Sequence, residues 1–235
     1  MPLPPTICDN SHHCPKRPQA VRRPDHDAQE TAEVTIVEDR LPAGTQAAAR
    51  KAMLDSQLRT SGVNAGYVLT RMGAIAREDF VPASARGVAY MDRAIALGGG
   101  RWLAAPLVQG MMLQEARPNP ADKAILVDGG SGYLAELLRP LVGSMEVVTP
   151  GEAVAPTRKR GDFSLLLIDG AVEHLPDSLV QRLAEGGRVV CGVLRGGITR
   201  LAIGRKAAGE VALVPLAEIG IPALAEFAAR KEWSF

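Results

Sequence analysis

Four short apolar runs constrain this chain more than any other feature: Ala124 to Val127, Met145 to Val148, Phe163 to Ile168 and Val189 to Leu194. Each is bounded by glycine, proline or charge, and each is mostly apolar rather than apolar at alternate positions, with Glu146 and Ser164 the polar exceptions. A strand that is apolar on both faces has to be covered on both faces. The stretches Ser131 to Leu141 and Leu175 to Ala184, which lie between the runs, have helical spacing. Strand and helix in alternation predict an α/β fold: a mostly parallel, doubly wound sheet with the strand near Ala124 at its centre. Only residues 150–162 separate the second run from Phe163. A parallel crossover uses about a dozen residues, so no further strand fits there. Thr199 to Arg205 and Val211 to Leu216, joined across Ala208-Gly209, read as an antiparallel hairpin at the sheet edge.

Helices precede the first strand. Met53, Leu54 and Leu58 share one helical face, and Gly62 can stop that helix in a left-handed conformation. Asn64 is placed to cap a second helix carrying Val68, Leu69, Met72 and Ile75, which ends before Phe80-Val81-Pro82. A third is expected from Pro106 to about Ala116. Residues 1–42 differ: they are rich in proline and charge, show neither helical nor strand periodicity, and are expected to be a disordered extension. The segment 43–235 then forms a single domain. Cys8, His12, His13 and Cys14 carry metal-type side chains, but their spacing matches no standard zinc pattern, and no metal is expected.

The charge balance is even, 27 basic against 26 acidic residues. Neither a nucleic acid nor a membrane surface is therefore a favoured partner. No apolar run approaches the length that spans a bilayer, and Pro2, Pro4, Pro5, Pro15, Pro18 and Pro24 interrupt the start, so the chain reads as cytoplasmic.

The stretch Leu126-Val127-Asp128-Gly129-Gly130-Ser131-Gly132-Tyr133 leaves the first strand and opens a helix. Glycines there let a ligand approach the backbone, at the end of the sheet where α/β proteins bind nucleotide-like molecules. Upstream stand Gln57-Leu58-Arg59, Arg77-Glu78-Asp79-Phe80-Val81-Pro82, Ala89-Tyr90-Met91-Asp92-Arg93, and Gly98-Gly99-Gly100-Arg101-Trp102-Leu103-Ala104-Ala105-Pro106. Downstream stand Gly186-Gly187-Arg188 and Val214-Pro215-Leu216. In order and spacing these motifs resemble the protein-L-isoaspartate O-methyltransferase family, from about residue 50 to 220. The resemblance implies a Rossmann-like methyltransferase fold with S-adenosylmethionine as cofactor. It also implies methyl transfer to the isoaspartyl carboxylates of damaged proteins, which starts their repair through a succinimide.

By the same resemblance, the cofactor would lie against Asp128, Gly129, Gly130, Ser131, Gly132, Thr149 and Asp169. Asp92 and Ala104 would stand at the catalytic positions, and Arg101, Trp102 and Leu103 in the substrate loop. Several of these depart from the family pattern. Ala104 falls where the family has a serine, and a methyl group neither donates nor accepts a hydrogen bond. Arg101 and Trp102 replace smaller polar residues; Trp102 either packs against the domain or, with Arg101, recognises an anionic or peptide ligand. Asp128 stands at the first glycine of the motif, or is the motif's acid with one glycine deleted. Thr149-Pro150 replaces the acid that holds the ribose hydroxyls, and the third strand and its adenine-contacting loop have no room. Asp169-Gly170 is then the candidate adenine wall. Glu173 and His174 read as a solvated pair at a helix start.

These departures leave two functions, an S-adenosylmethionine-dependent carboxyl methyltransferase or a catalytically degenerate relative acting as a binding module. A dinucleotide-dependent oxidoreductase fits less well, because the acid expected about 20 residues after the turn is missing. Limited proteolysis should trim the chain to near residue 40 and leave a folded core; a stable fragment beginning well inside the helices would contradict the domain boundary.

Overall fold

The computed structural model describes residues 43–229. The expected disordered extension, with Cys8, His12, His13 and Cys14, lies outside the described residues. The described residues open with α1 (Ala43–Ala52), continued by a π-helical turn over Met53–Leu58, and Gly62 ends it at φ 91°. The second helix, α2 (Gly66–Ala74), starts later than its expected cap. Asn64 does not cap it; the N–H groups of Asn64 and Ala65 are instead taken by the Gln114 side chain at 2.9 and 3.1 Å. A short hairpin of β1 (Ile95–Gly98) and β2 (Arg101–Leu103) follows, and α3 (Pro106–Ala116) begins with the proline expected at its first turn.

The main sheet holds β3 (Lys123–Val127), β4 (Ser144–Val148), β5 (Phe163–Val172), β6 (Leu183–Arg195), β7 (Ile198–Ala207) and β8 (Glu210–Glu218). Their order is β4-β3-β5-β6-β7-β8, with the first four parallel and the last two antiparallel. The expected hairpin is present, and Ala208 and Gly209, both at positive φ, form the tight turn that suits twisted strands. Only α5 (Pro150–Val154) and an irregular stretch connect β4 to β5, so the third strand is missing and β4 lies at the edge. For that reason β3 is not central but second from the edge.

One expected helix is much shorter than its spacing suggested. Of Leu175 to Ala184 only α6 (Asp177–Val180) is helical, because Leu183 already pairs with Phe163 at the foot of β6. The crossover is correspondingly tight: the Gly161 N–H bonds the Gln181 carbonyl at 3.0 Å, and a Cβ on Gly161 would overlap the Arg182 backbone. One face of the sheet packs with Leu126, Leu165 and Leu167 against α2, α3 and α4 (Tyr133–Leu138); the other packs Ile125, Ile168 and Val189 against Ala153, Leu179 and Phe227.

No helix among the described residues is long and apolar enough to cross a membrane. Gly161→Ala should lower stability by about 1–3 kcal/mol, since the backbone must shift to admit a methyl group. Urea unfolding reads this directly, and a midpoint equal to that of the native protein would contradict the close approach.

Candidate functional site

The glycine turn stands where β3 ends. Asp128 extends the ladder by one bond, its N–H reaching the Val148 carbonyl at 3.0 Å, and its carboxylate turns inward to accept the Gly132 N–H at 2.9 Å. Ser131 accepts the Tyr133 N–H, and Gly130 and Gly132 adopt φ 111° and 72°. Gly129 admits no side chain, because a Cβ there would strike the Asp169 carbonyl; at Gly132 the same position opens on free space. The turn is thus pressed against β5 on one side and open on the other.

Beneath it lies a buried polar cluster. The Arg77 guanidinium, wholly buried, donates to the Ala89 and Ala104 carbonyls and to Gln109 Oε1, and rests 4.9 Å from the centre of the Tyr133 ring. Gln109 in turn donates to both Asp169 oxygens at 3.0 and 3.3 Å. Asp169 therefore points inward rather than forming an adenine wall. Burial pushes its carboxyl up to about 7, helped by the Asp128 charge and opposed by Gln109 and Arg77.

The loop from Arg101 to Ala104 divides its residues between two sides. Leu103 and Ala104 are buried, and Ala104 offers only its carbonyl to Arg77. Arg101 does not open outward as a cationic mouth: its methylenes cover Gly130 and its guanidinium pairs with Glu226. Trp102 faces the opposite way, 42% exposed, into a groove of about 650 Å³ shared with Asp92, Arg93, Leu107 and Ile221. The Asp92 carboxylate accepts the Leu107 N–H at 3.1 Å and so caps the start of α3.

At the tip of β4, Thr149 and Glu152 form a capping box, which leaves the threonine hydroxyl engaged with α5. Glu173 and His174 are both exposed, as a solvated pair would be, although no helix starts there; Glu173 also donates its N–H to the Phe227 carbonyl and accepts the Ala229 N–H. Arg77, Gln109 and Glu226 did not stand out in sequence. The available signal for Gln109 was its place as the polar residue within the apolar stretch Pro106 to Leu113; Glu226 offered none.

The sequence profile described as Protein-L-isoaspartate(D-aspartate) O-methyltransferase (PCMT) matches residues 48–156. A protein-L-isoaspartate O-methyltransferase of Koribacter versatilis is 31% identical over 187 residues, covering 69% of this chain and 84% of that one. The chain belongs to the protein-L-isoaspartate O-methyltransferase family. Its counterpart in Methylorubrum populi is 29% identical over 201 residues, covering 72% of this chain and 95% of that one. The fold agrees as well. A crystal structure of a Plasmodium falciparum protein described as a putative protein-L-isoaspartate O-methyltransferase, in complex with S-adenosyl-L-homocysteine, aligns at TM-score 0.59. That alignment has 18% identity and covers 75% of this chain and 98% of the other. Among the described residues, no group of three or more His, Cys, Asp or Glu side chains could hold a metal ion.

The Asp169 carboxyl gives this site a pH signature. Its folded value of about 7 lies above the ordinary 3.8, so the folded protein keeps a proton that the unfolded chain releases. The stability it contributes is complete below about pH 4 and is lost as pH rises to about 7. Between those values the urea midpoint of the native protein should fall relative to that of Asp169→Asn, with the difference constant above about pH 7. Parallel curves would contradict the buried, proton-holding carboxyl.

Proposed function

We propose that this chain methylates isoaspartyl carboxylates of damaged proteins in the cytoplasm, with S-adenosylmethionine as methyl donor, and so begins their repair. Membership of the family carries this reading, and the glycine turn at the carboxyl end of β3 supports it. The residues fit the cofactor. Gly132 leaves free space beside the turn, and Thr149-Pro150 forms the neighbouring strand tip. S-adenosylmethionine supplies a methyl group on a sulfonium, which a carboxylate attacks directly.

The chain's own contribution is then positioning and the exclusion of water. In this reading the acceptor peptide lies in the groove beside Trp102, whose exposed ring offers apolar surface, and Arg93 and Asp92 flank it. Ala104 supplies no hydroxyl toward the reacting carboxylate, so turnover is slow. The family relation supports the enzyme over the binding module.

The test is transfer of radiolabelled methyl from S-adenosylmethionine to an isoaspartyl peptide, with the aspartyl peptide as control. Native protein should label the isoaspartyl peptide alone, and Ala104→Ser should raise the rate by about tenfold to a hundredfold at saturating cofactor. No label in either protein would overturn the enzymatic reading. Native turnover unaffected by Ala104→Ser would contradict the role given to that position.

A further inference from the structure

The segment after β8 returns across the carboxyl ends of the parallel strands. β3 pairs with β5 only as far as Val127 and Ile168, yet β5 runs on to Val172. Past that point the edge of β5 that β3 vacates is taken by residues 222–224. The Ala171 N–H donates to the Pro222 carbonyl at 2.8 Å, the Leu224 N–H donates to the Ala171 carbonyl at 2.9 Å, and Ala223 bridges Ala171 in parallel. This is an extra strand segment in line with β3, directly above the glycine turn.

Side chains close the space further. Leu224 packs so closely on Gly170 that a Cβ there would lie 2.6 Å from its Cγ. The Arg101 methylenes cover Gly130, and Arg101 is held over it by Glu226 on the same segment. Both ends are anchored. Thr199 donates to the Ile219 carbonyl and accepts the Ile221 N–H at 2.7 and 3.0 Å, while Phe227 is fully buried and bonded to Glu173. Between the anchors Ala223 and Ala225 are exposed, and the ion pair is about one-third exposed. The middle is thus held by the buried Leu224 and by two backbone bonds to Ala171, and is exposed at Ala223, Ala225 and the ion pair.

We propose that residues 222–226 are an autoinhibitory strap that occupies the crevice over the glycine turn and must lift, with Arg101, before an adenosyl ligand can enter. This rests on the methyltransferase reading of the same site. Parallel α/β sheets take ligands outside the carboxyl ends of their strands, and here the chain's own backbone fills that place. Only the lifted fraction binds ligand, so the apparent affinity falls in proportion to that fraction. Binding and strap release are thermodynamically reciprocal.

The probe is S-adenosylhomocysteine, titrated by calorimetry into native protein and Glu226→Lys, which places two cations together in a partly exposed position. The variant should bind about fivefold to tenfold more tightly. In the native chain, saturating S-adenosylhomocysteine should speed amide exchange at Ala171 and Leu224, the two strap bonds, a readout that does not depend on any variant folding. Equal affinities with unchanged exchange at both amides would overturn the strap. Failure of both proteins to bind would overturn it too. Methyl transfer to the isoaspartyl peptide without strap release would sink the strap and leave the enzyme standing. Strap release without methyl transfer would do the reverse.

Discussion

The buried guanidinium of Arg77 holds the molecule together at its functional end. A charge removed from water is costly unless every donor is used, and Arg77 spends its donors on the Ala89 and Ala104 carbonyls and on Gln109. Those partners belong to separate parts of the chain: the loop before β1, the loop from Arg101 to Ala105 and α3. Through Gln109 the cluster reaches Asp169 on β5, and through the Tyr133 ring it reaches α4. The helices that precede the sheet are thereby fixed to the strands beneath the glycine turn. The position of Ala104 follows from the same cluster, since its carbonyl is the group that Arg77 holds.

Two geometric consequences shape the site. Gly129 is squeezed against the Asp169 backbone, which makes a glycine necessary there and sets the turn close to β5. Asp128, whether it stands at the family's first glycine or is the motif's acid, does not obstruct the turn; its carboxylate closes it by accepting the Gly132 N–H. One carboxylate thus organises the turn while its neighbour Asp169 stays buried against Gln109, and the repulsion between them helps to keep Asp169 protonated toward neutral pH.

The strands, the helix from Pro106, the closing hairpin and the missing third strand were legible in the sequence because each depends on local periodicity, turn residues or segment length. What was not legible depends on contacts across long separations. Arg101 reads as a cationic residue at a substrate mouth until its partner Glu226, 125 residues away, is seen to hold it over Gly130. Asp169 reads as a candidate adenine wall at a strand end until Gln109 is seen to hold it inward. The helix expected through Ala184 gave way to strand because pairing of Leu183 with Phe163 outweighed local spacing. The segment after β8 carries no periodic signal, and only the vacant edge of β5 explains its course.

The central claim is that the glycine turn is the cofactor seat and that the chain's own carboxyl-terminal segment now lies over it. A crystal structure of the protein grown with S-adenosylhomocysteine tests this most directly. The account predicts adenosyl density beside Gly130 and Gly132, the Arg101 side chain swung off the turn and its pair with Glu226 broken. Ligand bound elsewhere, with Arg101 still lying on Gly130 and Leu224 still on Gly170, would contradict it.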